Sequence, residues 1–238
     1  MTRLWQKVAR HPPRELGGEF RVLLLLMAQA LSSDEVAAVR RFRAASKSVP
    51  TQKLAETPTR FHVENMPATQ YLLIPKVSSE RRKYIPLGFM DPDVLASDLC
   101  FLMAEASLYH FGALSSAMHM AWVRQVCGRL KSDFRYSATL VYNNFPWPGP
   151  PNDKRRAAVE AASARVLAVR SEYPESTLAD LYDPLAMPAK LVKAHAALDR
   201  AVDRCYRTQP FASDRQRVEF LFAVYEQKCR RNNGVTEE

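Results

Sequence analysis

Between Arg124 and Tyr142 the chain reads RQVCGRLKSDFRYSATLVY, where Arg124, Arg129, Lys131 and Arg135 stand against the single acid Asp133, with Phe134 and Tyr136 interleaved. Such side chains can hold a nucleic acid in two ways. Contacts to phosphate give affinity and register, whereas contacts to base edges give sequence discrimination. In the major groove Lys donates to guanine O6 or N7, and Asp accepts from the N4 amino group of the paired cytosine. Lys131 and Asp133 lie two apart, so on an extended segment they project to one side and reach both halves of one G·C pair. Arg124, Arg129 and Ser132 suit phosphate contacts. A second cluster, Ser78-Ser79-Glu80-Arg81-Arg82-Lys83, adds Ser79, Arg81, Arg82 and Lys83 as further phosphate ligands. The competing account is an ordinary exposed loop with a Lys–Asp salt bridge, worth about 0–1 kcal/mol. Composition by itself leaves both accounts open.

Other chemistries lack their residues. The seven glycines form neither G-x-G-x-x-G nor G-x-x-x-x-G-K-[ST], so no phosphate cradle is expected, and no short Gly-rich loop ends a strand to admit a methyl donor. Asn143-Asn144-Phe145-Pro146-Trp147 superficially matches the Asn-Pro-Pro-aromatic motif of amino-methylating enzymes, but the adjacent prolines are missing, and a strand-end role is expected. Glu226-Gln227-Lys228 and Pro92-Asp93 caricature a metal-dependent nuclease. Their carboxylates are far apart and the former lies on an expected helix, so a solvated helix face is the better reading. His110 and His119 lack a serine or carboxylate spaced for a triad and read as the polar edge of a packed helix.

The chain has 238 residues, 47% of them hydrophobic, enough to bury a core. Lys and Arg number 34 against 25 Asp and Glu, a net charge of +9 that favours a polyanionic partner. The excess is concentrated in residues 1–151, with 19 basic and 12 acidic side chains. Cys100, Cys127, Cys205 and Cys229 are scattered, and read as reduced thiols of a cytoplasmic protein rather than zinc ligands or disulfides. The longest apolar run, Val22 to Leu31, is too short to span a bilayer. It ends in Ala28-Gln29-Ala30, which mimics a signal-peptidase site. However, Glu15, Glu19, Pro12 and Pro13 precede it, and a buried helix is expected instead.

Several elements must position these residues. Ser32-Ser33-Asp34-Glu35 is a capping box opening a helix over about 33–46. Tyr71–Ile74 and Tyr84–Phe89 read as strands, with Pro75 and Pro86 confining them to edges or strand ends. Leu99–Ala104 is ambiguous between strand and helix. Apolar residues from Leu108 to Val126 recur at helical spacing until Gly128, predicting one continuous helix, and Thr139–Tyr142 reads as a strand. Phe145–Pro151 forms a proline-stiffened linker, after which helices are expected over about 153–172, 188–206 and 213–231. The expected architecture is α+β: a mixed α/β domain followed by a small all-α bundle.

Four ordered segments carry a family resemblance: Val77–Phe89, Ser116–Arg124, Gly128–Ser137 and Tyr142–Pro148. They resemble the signature segments of MmeI-like type IIL restriction-modification enzymes, a family that includes stand-alone adenine DNA methyltransferases. The resemblance covers about residues 36–238. It implies an atypical N-terminal segment (1–35), the latter part of a target-recognition domain (36–149) and a C-terminal helical domain (150–238). It further implies adenine N6 methylation with S-adenosylmethionine in the complete enzyme, no cofactor in this chain, and base-reading residues at Lys131, Asp133 and Arg135. The partners implied are double-stranded DNA and a methyltransferase chain or domain encoded upstream, with no membrane. The Lys131/Asp133 combination resembles the family's guanine-reading variant. The chain is therefore expected to be a truncated or split specificity module. The alternatives are an inactive remnant and a basic helical protein binding RNA or acidic partners.

Overall fold

The computed structural model describes residues 32–60, 66–149 and 152–232. The expected helix at Val22–Leu31 and the closing prolines of the linker, Pro150 and Pro151, lie outside the described residues. The chain divides into two units. The first contains α1 (Ser33–Ala44) and the short α2 (Val49–Lys53). Ser32 Oγ accepts from the Glu35 N–H while the Glu35 carboxylate accepts from the Ser32 N–H, so the predicted capping box is formed. Arg43 then donates to the carbonyls of Leu54, Thr57 and Arg60, closing the hairpin with a charged staple.

The second unit begins with β1 (Tyr71–Pro75), the central strand of an antiparallel sheet, flanked by β3 (Gly88–Met90) and β4 (Cys100–Ala104). Pro75 sits at the strand end, where its missing N–H removes no interior ladder bond. After Lys76 the chain enters a second sheet as β2 (Val77–Ser78), which pairs with β6 (Asp133–Arg135), itself paired with β5 (Gly128–Leu130). The Lys76 N–H donates to the Leu99 carbonyl and its carbonyl accepts from the Tyr136 N–H, both at 2.8 Å, so this one residue couples the two sheets. The second expected strand shrinks to Gly88–Met90. Tyr84 and Ile85 are buried, but their backbone is not paired in a ladder.

The long helix expected from Leu108 to Val126 is two helices, α3 (Leu108–Leu114) and α4 (Ala117–Val126), broken at Ser115-Ser116. Apolar spacing survives the break, which is why periodicity missed it. Ser116 Oγ donates to the Ala113 carbonyl at 2.7 Å and accepts from the His119 N–H, ending one helix and capping the next. The expected strand at Thr139–Tyr142 is a π-helical turn, Ala138–Tyr142. Its strand-favouring run is overruled because other groups claim its carbonyls: Asn144 Nδ2 binds those of Thr139 and Leu140, and Trp122 Nε1 binds that of Val141.

Beyond the linker come α5 (Asp153–Arg170), the short α6 (Leu178–Leu181), α7 (Ala189–Tyr206) and α8 (Asp214–Asn232), close to the predicted spans. Helix α4 is buried from Ala117 to Val123 and forms the centre of the core, with Met118, Met120 and Trp122 sealed from solvent. Trp122 packs against Phe222 and Tyr225 of α8. Gly112 lets α3 approach α5 and α7 closely. A Cβ there would lie 2.7 Å from Val159 Cγ1 and collide with Ser163 Oγ.

Candidate nucleic-acid interface

The basic loop predicted after Gly128 is a β-hairpin. Register pairs Gly128 with Arg135, Arg129 with Phe134 and Leu130 with Asp133, leaving Lys131-Ser132 as a two-residue turn. Lys131 has φ 56°, the positive value that tight hairpin turns take at their first central position. Such a conformation costs a residue with a Cβ roughly 1–2 kcal/mol, and glycine is its default occupant. Lys131 therefore stands at the tip and not on an extended strand, so it does not share a strand face with Asp133 as the spacing had suggested.

Asp133 and Arg135 do share one. Phe134 and Tyr136 are 2% and 3% exposed and point into the core, which by strand alternation turns Asp133 and Arg135 outward. Cross-strand partners lie on the same side, so Leu130 and Gly128 join them on the outward face. The side chains of Lys131, Asp133 and Arg135 form no hydrogen bond or ion pair with the described residues, and the Lys131–Asp133 salt bridge of the competing account is not made. The hairpin thus presents one cation at its tip, an acid and a second cation on its face, and the exposed Leu130 between them.

The inward face anchors this display. His119 Nδ1 lies 2.9 Å from the Leu114 carbonyl and Nε2 lies 3.0 Å from the Tyr136 hydroxyl. A carbonyl only accepts, so Nδ1 carries the proton and Nε2 accepts from the phenol. Burial holds the imidazole neutral, with its pKa lowered to about 4, and burial likewise pushes the Tyr136 phenol up. His119 is a sealed tie between α4 and the hairpin, and not the polar helix edge expected.

Arg129 is committed to the hairpin itself. Its guanidinium lies 4.2 Å over the Phe134 ring, donates to the Ser132 carbonyl at 2.9 Å and pairs with Glu80 at 3.5 Å. Arg124 is likewise engaged, with Asp214 at 2.9 Å and the Lys83 carbonyl at 3.4 Å. In the 79–83 loop Ser79 Oγ accepts from the Arg81 N–H, while the side chains of Arg81 and Arg82 have no partner among the described residues. Lys83 lies 5.3 Å over the Tyr84 ring.

The C-terminal helices hold the root of that loop. Tyr84 donates to Asp199 Oδ2 at 2.7 Å, and the Ala117 N–H at the start of α4 donates to Asp199 Oδ1, also at 2.7 Å. Burial raises the Asp199 carboxyl despite both bonds. Arg170, 8% exposed, donates to the Leu87 carbonyl at 2.6 Å and to the Tyr182 hydroxyl, and lies over the Phe111 ring. The Tyr182 hydroxyl lies 2.7 Å from His195 Nε2, and burial lowers the His195 pKa to about 3. Sequence reasoning missed these ties because each joins residues distant in the chain. Asn144 binds the turn before it, and Lys228, on an exposed face of α8, donates to the Trp147 carbonyl. Among the described residues no group of His, Cys, Asp and Glu is arranged to hold a metal ion, and no helix is long and apolar enough to cross a membrane.

Comparison with known proteins agrees with this arrangement. Residues 24–149 match the MmeI target recognition domain, and residues 151–231 match the MmeI C-terminal domain. DNA methyltransferase A of Bacillus subtilis (strain 168) is 40% identical over 201 residues, which cover 84% of this chain and 23% of that protein. The type IIL restriction-modification enzyme MmeI, solved in complex with DNA, superimposes with a TM-score of 0.77 at 43% identity, covering 86% of this chain and 28% of that one. The chain thus spans about a quarter of the length of these two relatives. With both of its matched regions in their family order on a shared fold, the chain belongs to the MmeI family, as its target recognition and C-terminal domains.

Proposed function

We propose that this chain reads the sequence of double-stranded DNA on behalf of an adenine-N6 methyltransferase domain or chain that binds S-adenosylmethionine and performs the chemistry. The observation that carries the proposal is the hairpin tip, where the side chains of Lys131, Asp133 and Arg135 project from an anchored ribbon with no partner among the described residues. A two-stranded ribbon fits the major groove. Lys131 donates to guanine, Asp133 accepts from the paired cytosine amino group, and Arg135 reaches the adjoining base edge. Lys131 retains a strained turn position that glycine would fill at less cost, which supports a role for its side chain outside the fold.

Phosphate contacts come from Ser79, Arg81, Arg82 and Lys83, with Ser132 at the turn. Arg124 and Arg129 add positive potential but spend donors within the protein. Affinity for duplex DNA therefore falls steeply with salt.

The test joins the chain to the methyltransferase portion of a family member, in cis or in trans, and maps methylated adenines genome-wide. Lys131→Glu combined with Asp133→Arg changes the accepted base pair at one position of the methylated site. Truncating either residue alone costs about 1–3 kcal/mol of discrimination at that position. An unchanged methylated motif in the charge-swapped variant would overturn the assignment.

A further inference from the structure

Resting on that reading of Asp133, we infer that Leu130 packs on the C5 edge of the cytosine whose amino group Asp133 accepts, making recognition sensitive to a methyl group at C5. Leu130 is 45% exposed, and all of β5 is open to solvent. A singly exposed leucine is common, so exposure alone says little. Its register carries the inference. Leu130 is the direct cross-strand partner of Asp133 in the pair that closes the turn. Such partners place their Cβ atoms about 4.5–5.5 Å apart on one face. Arg129, the neighbour before it, turns to the opposite face and stacks on Phe134, which fixes the side to which Leu130 points.

The chemistry of the base edge matches this pair. On cytosine, N4 and C5 are attached to neighbouring ring atoms and both face the major groove. A carboxylate accepting from N4 therefore brings its cross-strand neighbour to C5. Among the residues on that face, Gly128 has no side chain, Arg135 and Asp133 are charged, and the half-buried Val77 lies beside Arg135 on β2, across β6 from the turn-closing pair, which leaves Leu130 as the apolar group beside Asp133. Thymine methyl groups are read by apolar side chains in the same way. Leu130 thus gains contact area when C5 carries a methyl, while Asp133 still excludes thymine, whose O4 is an acceptor.

The experiment selects duplexes bound by the full chain from two randomised libraries, one made with cytosine and one with 5-methylcytosine throughout. The G·C position is identified as the one whose preference the Lys131→Glu, Asp133→Arg variant alters. At that position defined duplexes with 5-methylcytosine are expected to bind about threefold more tightly than those with cytosine. Leu130→Ala abolishes the difference and keeps the G·C preference. Leu130→Val, which shortens the side chain, reduces the difference without removing it. Equal binding of the two duplexes by the unaltered chain, or a methyl preference that survives Leu130→Ala, overturns the inference while leaving the Asp133 reading standing. A selection in which the charge swap alters no position overturns that reading, and the role of Leu130 with it.

Discussion

The hairpin tip and the helical C-terminal region contain the same kinds of side chain and use them in opposite ways. In α5 and α7, Arg170 and Asp199 are buried and meet carbonyls, hydroxyls and backbone N–H groups of the recognition elements. At the tip, the side chains of Lys131, Asp133 and Arg135 have no partner among the described residues. A buried polar group must be satisfied internally, whereas an exposed one kept in place by a rigid ribbon is available to a ligand. The contrast separates a region whose polar groups serve the fold from one whose side chains stay open to a ligand.

Stability measurements can break this division, and the largest effect is expected at Arg170. Arg170→Ala leaves the Leu87 carbonyl and the Tyr182 hydroxyl short of a donor and empties the space over Phe111, costing about 4 kcal/mol in urea unfolding. Asp199→Ala strands the Tyr84 hydroxyl and the Ala117 N–H, at about 3 kcal/mol. A loss below about 1 kcal/mol in both variants would show that these ties do not support the fold.

Acid sharpens the same comparison. The His119 pKa lies at about 4 in the fold against 6.5 for the unperturbed group, so the unfolded chain takes up its proton first. Stability therefore falls as pH drops through 6.5 and levels off below about 4, with about 2 kcal/mol lost between pH 7 and 5. His195, lowered to about 3, acts in the same direction, and the raised Asp199 carboxyl acts against both. Unfolding midpoints measured across this range check the sign. His119→Gln should flatten the curve.

Comparable in size is Gly112→Ala, which forces α3 away from Val159 and Ser163 and costs about 1–3 kcal/mol by thermal unfolding. The smallest effect belongs to the tip. Arg135→Ala and Asp133→Ala change stability by less than about 0.5 kcal/mol, because neither side chain has a partner to lose among the described residues. A large destabilisation from either would erase the contrast.

The capping box at Ser32, the three long C-terminal helices and the α+β organisation were legible because their signals are local. Ser115-Ser116 and Thr139–Tyr142 were misread because their conformations are set by Asp199, Trp122 and Asn144, which periodicity does not include. The cluster from Arg124 to Arg135 could be found by charge and resemblance. Its division into a braced Arg129 and an unpaired Lys131, Asp133 and Arg135 required the hairpin register, and no spacing rule supplies that.

If the hairpin reads bases as proposed, its register limits how such a protein can acquire a new target sequence. The turn between β5 and β6 has only two residues, and Phe134 and Tyr136 alternate with Asp133 and Arg135 along a single strand. Inserting or deleting one residue in β6 would exchange these two rows, forcing charges into the core and aromatic rings onto the outer surface. Exchange of side chains at 130, 131, 133 and 135 disturbs neither row. Variation in this ribbon should therefore proceed by replacement at constant length, so that descendants with different preferences keep the same residue count between Gly128 and Tyr136.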